Sequence, residues 1–102
     1  MAGSDKVDHS GHRNRMRAKY LKGGFELLAD HEILEILLYY CIPRKNTNEL
    51  AYTLLNKYKT LANVFDATPD ELMEIDGISE VSATLLTMIP ELSKVYENSK
   101  KK

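Results

Sequence analysis

The chain has 102 residues, a formal net charge of −1 and one cysteine. That length suits one small domain able to bury roughly two-thirds of its unfolded surface without staples. The near-zero charge excludes a molecule that is basic all over. The lone Cys41 excludes an intramolecular disulfide and suits a reducing cytoplasm. No apolar run approaches the roughly 18 residues of a membrane span, and the polar start does not read as a signal peptide.

Residues 1–10 are polar and aperiodic and are expected to form a disordered tail. From Gly11 the pattern predicts a basic helix. His12, Arg13, Arg15, Arg17, Lys19 and Lys22 surround a thin stripe of Met16, Tyr20 and Leu21, and Gly23-Gly24 ends it. Phe25, Leu27 and Leu28 follow as a connector available for the core. Asp30 is the expected N-cap of a nearly all-apolar helix over His31–Ile42, which Pro43 stops. Arg44-Lys45 fall in the next loop, near that helix's C-terminal end. Asn46 with Glu49 predicts a capped helix to about Tyr58. Thr60 opens a short helix with Leu61, Val64 and Phe65 inward. Thr68-Pro69-Asp70-Glu71 combines a cap, Pro at N1 and Glu at N3, and predicts a brief helix.

Leu72 to Leu86 then reads as a helix-hairpin-helix element. Asp76-Gly77 makes the turn, Gly77 taking φ > 0, and Ser79 caps a long helix with Ala83 and Leu86 inward. Val81, Leu85, Met88, Ile89, Leu92 and Val95 continue its 3.6-residue period, and Pro90 is expected to kink or divide it. Residues 98–102 read as a frayed basic tail. Nothing alternates with period two, so no sheet is expected. The predicted fold is all-α: a compact bundle of five or six helices over residues 11–97.

Two features point to nucleic acid. The first is the hairpin, where the N–H groups of Gly77, Ile78 and Ser79 could hold a phosphate without reading sequence. Against this, phosphate-binding hairpins usually have Gly where Ser79 stands and a cation soon after, where this chain has Glu80-Val81-Ser82. The turn also lies in a segment, 60–80, with six acids and no base. The plain alternative is a turn joining two packed helices. The second feature is the basic helix. His12, Arg13, Arg15, Arg17, Lys19 and Lys22 are candidate phosphate contacts, set against the plain reading of a solvated charged face. It is the stronger DNA candidate of the two.

No metal site is expected, because His9, His12 and His31 are too scattered. Cys41 reads as a small buried hydrophobe, and Tyr39 and Tyr40 as core and rim. Asp30, Glu32 and Glu35 read as an acidic helix start matched to the macrodipole. No catalytic constellation and no cofactor motif is found.

The run Gly11-His12-Arg13-x-Arg15-Met16-Arg17-x-Lys19-Tyr20 is followed by Leu28-x-Asp30-x-Glu32-Ile33-Leu34-Glu35-Ile36-Leu37-Leu38 and, later, by Leu72-x-x-Ile75-x-Gly77-Ile78. Together these segments resemble the N-terminal region of the RadC family, over about residues 11–96. That family is named for DNA repair, and its larger C-terminal part is similar to JAB1/MPN metallopeptidases, with a zinc site of His-x-His and a later Asp. None of those residues occurs here. The resemblance implies a cytoplasmic, non-catalytic helical module with DNA as partner. Its rival is a protein-interaction or self-association module that positions the absent metallopeptidase-like domain. The helix order also resembles the core of base-excision glycosylases, but no Lys and Asp pair follows the hairpin in their manner, which argues against that activity.

Overall fold

From the second helix to the sixth, each start is closed by a side chain that bonds the backbone of its own first turn. The structure is a computed structural model that describes residues 9–43 and 46–101. In chain order the helices are α1 (His9–Gly23), α2 (Asp30–Tyr39), α3 (Thr47–Tyr58), α4 (Leu61–Asp66), α5 (Pro69–Met73) and α6 (Glu80–Lys100), with a 3-10 turn (Gly24–Leu27) after α1. No strand occurs among the described residues, and the fold is all-α. The expectations for residues 1–8, for Arg44-Lys45 and for Lys102 lie outside the described residues.

The expected caps form in three places. Asn46 Oδ1 accepts from the N–H groups of Asn48 (3.1 Å) and Glu49 (3.3 Å). Thr60 Oγ1 accepts from Asn63 N–H at 3.1 Å. Thr68 Oγ1 accepts from Glu71 N–H (3.2 Å) while Glu71 Oε1 accepts from Thr68 N–H (2.9 Å), a complete capping box. α2 departs from expectation at both ends. Its N-cap is Ala29, not Asp30, because Glu32 reaches back to take the Ala29 N–H at 2.9 Å and the helix starts one residue earlier. It closes at Tyr39 instead of Ile42. The N–H groups of Tyr40 and Cys41 bond carbonyls only three residues back, tightening the last turn ahead of Pro43.

The chain divides into two compact units, Met1–Ala51 and Tyr52–Lys102, the boundary falling inside α3. In the first, α1 packs on the 3-10 turn and on α2. Met16, Leu28, Ile36 and Tyr39 form a buried cluster with Ile33 and Leu37 against it. Phe25 and Leu27, expected to be available for the core, are exposed instead, as are Tyr20 and Leu21 of the predicted stripe. Gly24 turns the chain with φ +77, and the backbone is extended again at Leu28, which alone of the connector is buried.

In the second unit α4 and α5 both pack on α6. Val64, Leu72, Ile75, Ile78, Ala83 and Leu86 are buried there, as the periodicity predicts. Pro90 does not end α6, which continues as one helix to Lys100, beyond the predicted start of fraying at Asn98. Val81, Met88, Leu92 and Val95 are exposed, so only part of the apolar period is used for packing.

Gly77 has φ +100, the conformation its place in the turn predicts. A Cβ is strained there, so Gly77→Ala is expected to lower stability by about 1 kcal/mol or more in a chemical denaturation curve. An unchanged midpoint would show that the turn relaxes around a side chain.

Candidate functional site

A carboxylate in the middle of an apolar helix must find partners, because burying an unpaired charge is costly. Glu35 of α2 is only 1 % exposed. Its Oε1 accepts from the Tyr39 hydroxyl at 3.2 Å and faces His12 Nε2 at 3.3 Å. Its Oε2 accepts from Asn48 Nδ2 at 2.9 Å, with His31 Nε2 at 3.8 Å. An ionised carboxylate can only accept, so His12 is the donor in that state. Three helices thus converge on one buried side chain: α1 through His12, α2 through His31 and Tyr39, and α3 through Asn48.

Arg13, beside His12, completes the junction. Its Nη1 and Nη2 donate to the carbonyls of Tyr39 (3.3 Å) and Ile42 (2.7 Å), and its guanidinium lies 4.6 Å from the centre of the Tyr39 ring. Carbonyls at a helix end lack intrahelical donors and carry the negative end of the macrodipole. Arg13 therefore caps α2 from another helix. Burial pushes the Tyr39 phenol far above its ordinary range, and the Glu35 charge and hydrogen bond push it the same way against smaller effects of Arg13 and Thr47. Tyr39 thus remains a protonated donor.

This arrangement sorts the basic residues of α1. His12 and Arg13 turn toward α2. Lys19 pairs with Glu32 at 3.4 Å. The Glu32 carboxyl is held below its usual range, first by the Ala29 N–H and then by Lys19, which outweigh its partial burial. Arg17 donates to Asn14 Oδ1 within α1. Arg15 and Lys22 are exposed and form no ion pair among the described residues. Arg15, Lys19 and Lys22 stand at i, i+4 and i+7, which places them on one face of the helix. Over its 15 residues α1 contains no acid.

At the α5–α6 turn, two of the amides expected to meet a phosphate are already bonded. Ile78 N–H donates to Ile75 O at 3.0 Å, and Ser79 N–H to Ser82 Oγ at 3.0 Å. The Ile78 side chain is buried, Gly77 is half-buried and Ser79 is exposed. Glu74, Asp76 and Glu80 are exposed around the turn.

Glu35 was legible only as part of an acidic helix start. Its position inside the run Ile33-Leu34-Glu35-Ile36-Leu37-Leu38 was the available signal, since an acid flanked by inward leucines needs a dedicated partner. His12 and His31, far apart in sequence, meet at that carboxylate. Among the described residues no group of three or more His, Cys, Asp or Glu side chains could hold a metal ion. Cys41 is half-buried, which raises its thiol pKa, and its Sγ lies 3.9 Å from Leu37 O. No described helix is long and apolar enough to cross a membrane.

No solved structure matches the chain. The chain is similar to a curated UPF0758 protein of Fusobacterium nucleatum subsp. nucleatum, 48 % identical over 95 residues. The match covers 92 % of this chain and 41 % of that relative, so the chain spans less than half of the relative's length. The UPF0758 N-terminal family matches residues 7–84. Those residues hold both the α1–α2 junction and the α5–α6 turn, and on that match the chain belongs to the UPF0758 N-terminal family, the RadC-like group.

Proposed function

We propose that this chain is a non-catalytic helical module that binds DNA without reading sequence, through the outer face of α1. The observation that supports this is the division of labour within α1. His12 and Arg13 are committed to α2, whereas Arg15 and Lys22 are exposed on an acid-free helix and Lys19 shares their face. Phosphate contacts by such cations give affinity and registration but no sequence discrimination. The α5–α6 turn is the weaker contact, since its amides are partly bonded and its surroundings acidic. A metallopeptidase-like activity, with its zinc, belongs in this reading to the remainder of a full-length protein.

Fluorescence anisotropy with a labelled duplex tests the proposal. Binding is expected at low salt and falls steeply as salt rises. Arg15→Ala and Lys22→Ala should each reduce the slope of log K against log salt by about one unit. Arg13→Ala is unsuitable for this purpose because it removes the cap of α2. No binding at about 50 µM protein in low salt would overturn the proposal, since nonspecific DNA binding usually falls within that range. The exposed Val81, Met88, Leu92 and Val95 of α6 favour a second reading, self-association or docking of a further domain. Mass that rises with concentration in light scattering, without DNA binding, would select it.

A further inference from the structure

The exposed apolar surface at the end of α1 is not needed by the core, which closes with Met16 and Leu28. Yet Tyr20, Leu21, Phe25 and Leu27, four large apolar side chains within eight residues, are 38 %, 79 %, 44 % and 46 % exposed. The Tyr20 and Phe25 rings already lean on each other, with centroids 4.7 Å apart and planes tilted by 52°. Between them in sequence, Gly24 holds φ +77, and a Cβ built there would meet nothing within 4 Å. The space over this corner is open.

The charge beside these rings is of one sign on the helix. Arg17 stands at i−3 from Tyr20, on the same face, whereas Lys22, at i+2, lies on the other face with Arg15 and Lys19. Ring faces next to cations match one class of polyanion: a strand whose bases are unpaired and can stack while its phosphates meet Lys and Arg. Duplex DNA hides its base faces and would use only the cations. A lipid surface requires an apolar stripe along a whole helix, whereas the outward apolar residues of α1 are confined to its last turn. We propose that Tyr20 and Phe25, with Arg17 on the Tyr20 face of α1, form a stacking platform for unpaired bases, so that this chain prefers single-stranded to duplex DNA. The proposal rests on the DNA reading above and narrows its ligand. Glu26, the acid of the 3-10 turn next to Phe25, opposes the phosphates and limits the affinity.

Anisotropy with a labelled oligothymidylate and with a duplex of the same length, at equal low salt, tests it. The single strand is expected to bind more tightly. Phe25→Ala should weaken single-strand binding by about tenfold, the loss of one base stacked on one ring, and leave duplex binding within about twofold. Arg15→Ala weakens both, and Glu26→Gln tightens both. These 102 residues contain no tryptophan. Phe25→Trp therefore supplies a single indole at the platform, and its emission should be quenched when the single strand binds. Circular dichroism of each variant checks that the helices persist.

If neither strand form binds, the DNA reading falls and this inference with it. If duplex binds as tightly as single strand, if Phe25→Ala is neutral on both, or if the Phe25→Trp emission is unmoved, only the platform falls. Binding to vesicles of anionic phospholipid in preference to the oligonucleotide would overturn it in favour of a membrane surface.

Discussion

Glu35→Ala is expected to lower the stability of the chain by about 1–3 kcal/mol, the cost of leaving a buried donor without its acceptor. The loss does not come from the carboxylate alone. The Tyr39 hydroxyl and the Asn48 amide lose their acceptor, and His12 loses the group that fixes it to α2. Of these donors only the Tyr39 hydroxyl is buried, whereas His12 and Asn48 are exposed and can turn to water. Glu35→Gln keeps the volume but turns one end of the side chain into a donor facing donors, and should cost less than Ala while remaining measurable. Urea denaturation followed by far-ultraviolet circular dichroism reads both. His12→Ala should be far from additive with Glu35→Ala, because the two share one contact. A Glu35→Ala midpoint within the noise of the parent would mean that the network is ornamental.

Leu86→Ala is expected to cost about 2–5 kcal/mol, the range for deleting a fully buried leucine side chain. Leu86 is fully buried on the face of α6 that also buries Ser82 and Ala83, the helix that α4 and α5 both pack against. Few atoms around such a site can move in to fill the space. Leu92, two turns along the same helix, is more than half exposed, and Leu92→Ala should stay within about 0.5 kcal/mol. Comparing the two by thermal melts separates packing from helix propensity, since both exchange Leu for Ala in one helix. Equal losses would mean that residue 92 is covered in solution by something further.

Helix starts were the most legible part of the fold. Asn46, Thr60 and the Thr68-Pro69-Glu71 group announce themselves because capping is local chemistry, settled within four residues. Gly77 and the buried Leu72, Ile75, Ile78, Ala83 and Leu86 were legible for a similar reason: turn and period reinforce each other. Phe25, Leu27 and Leu21 were not. A sequence shows which residues are apolar, but whether another element covers them depends on contacts between segments. The same limit applied to α1. Its cations read as one basic run, yet the fate of each was decided by α2. Arg13 was drawn to the carbonyls of Tyr39 and Ile42, and Lys19 to Glu32, while Arg15 and Lys22 stayed in water. The proposed DNA face is therefore smaller than the basic run.

The outer half of α6 has a consequence of its own. Beyond Pro90 every described residue to Lys101 is exposed, so this half is not anchored by a buried side chain. It is about ten residues long, below the roughly 12–15 at which even favourable sequences hold a helix in water. Pro90 also deprives the Leu86 carbonyl of its usual donor, weakening the ladder where the two halves join. The segment is ordered by continuity with the packed half, as a zipper is held by its closed end. Amide protons after Pro90 then exchange through local opening, while those around Leu86 exchange only when the core opens. Unwinding as far as Pro90 leaves Val64, Leu72 and Leu86 in place, so α6 can lend its last three turns to a binding event without loosening the fold.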